Sequence, residues 1–119
     1  MDESQALNAF AALSQETRLG IVRLLVREGP DGLPAGAIAE AAKVSPSNVS
    51  FHLKELERAG LIEARREARS IIYSANFKGL RELIGFLMKD CCASRPEICA
   101  PVLAEASCAT AKSKRRAHA

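Results

Sequence analysis

The stretch from Ser45 to Gly60, Ser45-Pro46-Ser47-Asn48-Val49-Ser50-Phe51-His52-Leu53-Lys54-Glu55-Leu56-Glu57-Arg58-Ala59-Gly60, constrains the fold more than any other, because both its ends are marked. The Ser45 hydroxyl suits an N-cap, where it accepts from an otherwise unpaired first-turn amide. Pro46 suits the first helical position, which needs no amide hydrogen. Gly60 suits the left-handed residue that ends a helix. Between these marks Val49, Leu53 and Leu56 recur at helical spacing and form an inward stripe. The remaining surface carries Ser47, Asn48, Ser50, Phe51, Lys54 and Arg58. Hydroxyls, an amide, a ring and cations near a helix start are what a helix needs to read base edges and hold phosphates. Phe51 lies almost opposite the inward stripe, so the core does not claim it. Such a ring either packs on a neighbouring element or waits for a partner such as a thymine methyl.

A chain of 119 residues supports one domain with one core, which dimerisation would extend. The net charge of +3 says little by itself about a nucleic-acid partner, but the basic residues gather in Arg65-Arg66, Arg69 and Lys112 to Arg116. No apolar run approaches membrane-spanning length and no secretory leader precedes the first helix, so the expected location is cytoplasmic, with no membrane partner. In that compartment the four cysteines are expected as reduced thiols, available as ligands or sensors.

In chain order, Asp2 to Leu13 reads as a first helix, with capping-box spacing between Asp2 and Gln5 and with Ala6, Leu7, Phe10 and Leu13 on one side. Ser14 is expected to cap a second helix, Gln15 to about Glu28, which Gly29-Pro30 closes. Leu19, Ile21, Val22, Leu24, Leu25 and Val26 cover most of its circumference, the pattern of a buried helix, and Arg18 and Arg23 mark an exposed edge. Pro34 opens a short third helix to about Ala42, anchored by Ile38. A short helix, a tight connection and a capped second helix make a helix-turn-helix pattern. Leu61 to Arg66 and Ser70 to Ala75 then favour strands around a loop at Glu67-Ala68-Arg69. A hairpin following such a helix reads as a wing, with Arg65, Arg66 and Arg69 at a tip that meets the DNA backbone or minor groove. Asn76 to Asp90 forms a fifth helix with Phe77, Leu80, Leu83, Ile84, Leu87 and Met88 as a continuous apolar stripe. Leu7, Phe10, Leu80, Leu83, Ile84 and Leu87 are expected at or beside a two-fold interface. The fold class is therefore mainly α with a β-hairpin: about five helices and a two-stranded wing, assembled as a homodimer. Residues 1–92 form the DNA-binding and dimerisation domain. Residues 93–119 form a cysteine-containing loop and a flexible Ala-, Ser- and Lys-rich basic tail.

Two motifs resemble a known family. Ala12-Leu13-Ser14-Gln15-Glu16-Thr17-Arg18-Leu19, followed by Ile21 and Leu24-Leu25, resembles the second-helix signature of the arsenic-repressor (ArsR/SmtB) family. Ser47 to Leu56 and Ala59-Gly60-Leu61-Ile62 resemble its recognition helix and following strand. The resemblance covers roughly residues 5 to 90. It implies a dimeric winged-helix repressor, not an enzyme, that sits on double-stranded operator DNA and leaves when an inducer binds. The expected DNA-facing set is Ser45, Ser47, Asn48, Ser50, Phe51, His52, Lys54, Arg66 and Arg69; His52 enters it by matching a family position.

The chain departs from the family's best-known sensors. Its third helix, Leu33 to Glu40, has no cysteine pair, and its fifth helix carries Glu82 and Asp90 but no histidine. What remains is Cys91-Cys92 followed by Cys99, with Pro96 in the returning loop. Adjacent cysteines at a helix end diverge by about 100°, and the loop can bring the third back to them. Three thiolates without an imidazole form a soft, sulfur-only site. Trivalent arsenic takes three sulfurs in a pyramid, whereas tetrahedral zinc wants a fourth ligand, for which Cys108 is the candidate. A subgroup of arsenical repressors carries a Cys-Cys pair plus a third cysteine here, so the resemblance also implies Cys91, Cys92 and Cys99 as the site. As(III) would be an inducer, not a structural cofactor; arsenite, antimonite and trivalent organoarsenicals all fit. Two alternatives stay open. One is a redox-sensing repressor using the same cysteines. The other is a small thiol-dependent enzyme, for which no nucleophile-base spacing or phosphate-cradling loop is visible.

Overall fold

The computed structural model of the chain describes residues 1–89. Cys91, Cys92, Cys99 and Cys108, the expected boundary at residue 92 and the basic tail lie outside the described residues. Met1–Phe86 forms one compact unit. The element order is α1 (Glu3–Leu13), α2 (Glu16–Glu28), β1 (Leu33–Pro34), α3 (Ala35–Ala42), α4 (Pro46–Arg58), β2 (Ile62–Glu67), β3 (Ser70–Ala75) and α5 (Phe77–Met88).

Helix α1 starts as its sequence dictates. Asp2 accepts from the Gln5 amide at 2.8 Å, and the Gln5 side chain accepts from the Asp2 amide at 2.9 Å, a complete capping box. Its inward face is built of Ala6, Ala9 and Ala12, and the bulky Leu7 and Phe10 are left to solvent. Small residues let one helix approach another closely, which leaves Leu7 and Phe10, expected at or beside a two-fold interface, on the subunit surface.

Ser14 does not cap α2. Its backbone finishes α1, and its hydroxyl donates to the Ala11 carbonyl at 2.8 Å. Gln15 takes the extended backbone an N-cap needs, and its side-chain oxygen accepts from the Arg18 amide at 2.9 Å. Nor is α2 buried all round: Ile21, Val22 and Leu25 face the core, whereas Leu19 and Val26 are exposed.

The sheet has three strands, not the expected two. Leu33–Pro34 pairs antiparallel with Tyr73 and Ile72, giving the order β1-β3-β2. Proline tolerates such an edge position because it has no amide to leave unpaired in the ladder. The β2–β3 hairpin runs in register from Ile62 opposite Ala75 to Glu67 opposite Ser70, so its turn is only Ala68-Arg69. Ile62 and Ala75 at its base are buried in the core beside Leu61, while its tip projects away.

Helices α4 and α5 are stitched end to start. Gly60, at φ +80°, closes α4: its amide donates to the Glu57 carbonyl and the Leu61 amide to the Leu56 carbonyl, both at 3.0 Å. These two bonds form a Schellman turn. Asn76 then caps α5. Its amide donates to the Leu61 carbonyl (2.9 Å), its Nδ2 to the Gly60 carbonyl (2.9 Å), and its Oδ1 accepts from the Gly79 amide (3.1 Å). The side chain of Leu83, expected from the sequence at or beside a two-fold interface, is inside its own subunit at 5% exposure. Leu80 is half-buried against the same core.

Candidate nucleic-acid interface

Helix α4 is positioned by Val49, Leu53 and Leu56, which are buried against the core. Its start is fixed by Ser45, whose hydroxyl accepts from the Asn48 amide at 3.2 Å. With three positions locked inward, the others follow by rotation. Ser45, Ser47, Asn48, Ser50, Phe51 and Lys54 are all exposed. Phe51 is 58% exposed; among the described residues its one aromatic neighbour is His52, edge-on at 5.7 Å between centroids. A large apolar ring is thus held in water beside hydroxyls and an amide.

Helix α3 precedes α4 through a turn at Lys43, which adopts φ +60°, and Ile38 and Ala39 bury α3 in the same core. The wing hairpin follows α4 directly. Arg66 on β2 and Arg69 in the turn are exposed, and among the described residues neither is in an ion pair. Arg65 differs from the expectation that groups it with them. Its Nη1 donates to the Pro30 carbonyl (3.1 Å), its Nη2 to the Asp31 carbonyl (2.7 Å) and its Nε to Glu67 Oε2 (2.7 Å). It straps the hairpin across β3 to the turn before β1 and does not reach outward.

His52 is half-buried, with Nδ1 3.3 Å from Arg18 Nη1. Burial first, and the Arg18 guanidinium second, hold its pKa below the usual 6.5. Because the unfolded chain then binds more protons in the window below pH 6.5, this group makes stability rise with pH there and fall on acidification. Thermal melts between about pH 7.5 and about pH 5 are expected to show a smaller acid-induced loss of Tm in His52→Gln than in wild type. Arg18 itself is the residue that sequence reasoning missed. It was read as an exposed edge, but it is half-buried and also bonds the Ala12 carbonyl through Nε at 2.8 Å. A signal was present in its place within the second-helix motif, between one helix's end and the next helix's first turn.

Among the described residues, no three His, Cys, Asp or Glu side chains come together as a metal site, and no helix is long and apolar enough to cross a membrane. A helix-turn-helix unit with a polar outward helix and a basic hairpin at its side defines a winged helix-turn-helix DNA-binding regulator. The comparisons agree with this architecture. A family model described as a helix-turn-helix domain matches residues 13–65. The transcriptional repressor SdpR of Bacillus subtilis is 37% identical over 81 residues, spanning 68% of this chain and 87% of SdpR. The homodimeric winged helix-turn-helix DNA-binding domain of Mb0332 from Mycobacterium bovis, a possible ArsR-family regulator, superposes with a TM-score of 0.60 at 27% identity, covering 73% of this chain and 81% of that one. A possible transcriptional regulator for arsenical resistance superposes with a TM-score of 0.59 at 26% identity, covering 67% and 80%. The chain belongs to the ArsR/SmtB family of winged helix-turn-helix transcriptional regulators. That family comprises DNA-binding regulators rather than enzymes.

Proposed function

We propose that the protein is a dimeric repressor that binds an inverted-repeat operator and is released when trivalent arsenic is held by Cys91, Cys92 and Cys99. The observation that carries the DNA half is the outward face of α4, with Phe51 uncovered beside Ser47, Asn48 and Ser50. These side chains serve the bases, and Lys54, Arg66 and Arg69 serve phosphates. Replacing Arg69 with alanine is expected to weaken binding to all sequences alike and to lower the slope of log affinity against log salt by about 1. Phe51→Ala is expected instead to change base preference, read by selection from a random duplex library. An unchanged preference and affinity would remove Phe51 from the interface.

The dimer reading rests on apolar side chains that one subunit leaves to water. Leu7 is 62% exposed, Phe10 40% and Ile84 54%. They lie on α1 and α5, and the Mb0332 domain of the same fold is homodimeric.

The trigger rests on distribution: all four cysteines follow residue 90, and none precedes it. Arsenous acid can exchange its three hydroxyls for three thiolates, each thiol proton leaving with a hydroxyl as water. Soft sulfur favours this soft centre, and a pyramidal three-sulfur site needs no fourth ligand. Release requires only that arsenic bind the DNA-free form better than the DNA-bound one, and linkage makes the effect reciprocal. Serine at Cys91, Cys92 or Cys99 is expected to preserve operator binding and to raise the arsenite concentration for release at least tenfold, since even the outer-shell partners of a metal ligand are worth about 10–100-fold in affinity. Serine at Cys108 is expected to do little. Fluorescence anisotropy on labelled operator, titrated with arsenite and antimonite under reductant, measures both. Wild-type release by all three serine variants would place sensing elsewhere.

A further inference from the structure

Arg18 joins three helices at one point. From α2, its Nε donates to the Ala12 carbonyl at the end of α1 (2.8 Å), and its Nη1 meets His52 Nδ1 on α4 (3.3 Å). A guanidinium has donors only, so Nδ1 must accept and carries no proton. The neutral ring therefore holds its proton on Nε2. Among the described residues Nε2 has no hydrogen-bond partner, and no buried side-chain nitrogen or oxygen there lacks one, so this edge of the ring reaches solvent. On α4, His52 falls between the buried stripe of Val49, Leu53 and Leu56 and the exposed positions Asn48 and Phe51. When a helix lies in a major groove, that flank meets the groove wall, where phosphate oxygens stand.

We propose that Arg18 is a positioning residue for DNA binding: by donating to Nδ1 it fixes His52 as the Nε2–H tautomer and presents that N–H to a backbone phosphate oxygen. The inference rests on α4 being the DNA-reading helix. From α2 the charged group at the ring is Arg18, and α1 contributes only the Ala12 carbonyl, through Arg18. On α4, Glu55 lines the same cavity as Arg18 and is paired with Arg58 at 3.1 Å. An imidazolium would turn Nδ1–H against the guanidinium, donor against donor, so the Arg18 contact selects the neutral ring. Without Arg18 the neutral ring exchanges tautomers, and part of the population offers a lone pair to the phosphate. Acid repairs that defect, because an imidazolium carries a proton on Nε2 whatever faces Nδ1.

The one other histidine is His118, so a His118→Ala background leaves a single imidazole to observe. Long-range nitrogen–proton NMR of that free protein is expected to show protonated Nε2 and unprotonated Nδ1. The binding probe is a duplex selected from a random library by the wild-type protein, at fixed salt. Arg18→Met is expected to weaken this binding about twofold near pH 8, the cost of sharing the neutral ring between two tautomers, and to recover more than wild type does as the pH falls to about 6. In a His52→Ala background the same substitution is expected to cost nothing further, since the two residues act as one unit. A proton on Nδ1 in the free protein would overturn the proposal, whether or not the Arg18 variant folds. So would an equal loss from Arg18→Met with and without the imidazole. If no duplex can be selected, the DNA-reading assignment of α4 fails instead, and the tautomer of the free protein still decides the Arg18 contact.

Discussion

Glutamate at Leu83 is expected to unfold the domain, whereas glutamate at the next residue, Ile84, is expected to leave a folded monomer. Leu83 is 5% exposed within the core cluster of its own chain, and Ile84 is 54% exposed. Their side chains point about 100° apart on the same helix. A carboxylate at Leu83 has no cation to pair with in the apolar core around it, and burying an unpaired charge costs several kcal/mol. That is comparable with the whole stability of a small domain, about 5–15 kcal/mol. A carboxylate at Ile84 stays in water while the subunit is alone. In a two-fold dimer it would be buried twice, since an isologous interface contains each contact in duplicate. Circular-dichroism melts and sedimentation velocity separate the outcomes. An Ile84→Glu protein that still sediments as a dimer would move the interface off this face of α5. A Leu83→Glu protein with wild-type Tm would contradict the packing of α5 on the core.

Gly79→Ala is the second large effect, and its sign runs against helix propensity. In an ordinary helix interior alanine would gain about 1 kcal/mol over glycine. Here an added methyl would overlap the Gly60 carbonyl oxygen and come within 2.9 Å of Asn76 Nδ2. Neither neighbour can retreat easily. The Gly60 carbonyl belongs to the Schellman turn that ends α4, and Asn76 Nδ2 is bonded to it at 2.9 Å. Overpacking of this kind typically costs about 1–3 kcal/mol, which for a domain of this size lowers Tm by roughly 4–8 °C per kcal/mol. Operator affinity should fall with it, because the end of α4 must shift. A Tm at or above wild type would show that the contact between α4 and α5 yields.

Much of this architecture was legible because local chemistry marks it. Ser45, Pro46 and Gly60 delimit α4 and hold the positions read for them, as do Asp2 and Gln5 at α1. The exposed Phe51 was legible from phase alone. What escaped were features set by tertiary geometry. A strand of two residues, one of them proline, has no periodicity to read. The cap between α1 and α2 went to Gln15 rather than Ser14, because the chain completes α1 at Ser14 before turning extended. Of the alanine stripe of α1 only Ala6 was legible, since sequence shows apolar bulk but not how closely a helix is approached. Arg18 and Arg65 looked like surface cations without partners; besides Glu67 on Arg65's own strand, their partners are carbonyls and a ring contributed by other elements.

The Arg65 strap bears on the thermodynamics of docking. A two-stranded hairpin projecting from a domain would otherwise explore many orientations, and selecting one of them on DNA would subtract from affinity. Arg65 adds to the restraint from the buried hairpin base and the β1–β3 pairing, by holding β2 to the Pro30 and Asp31 carbonyls across β3. If Arg66 and Arg69 serve phosphates as proposed, they reach the duplex on a base already oriented. The entropy of ordering is charged to the folding equilibrium rather than to association, and its benefit is expected as slower dissociation rather than faster encounter.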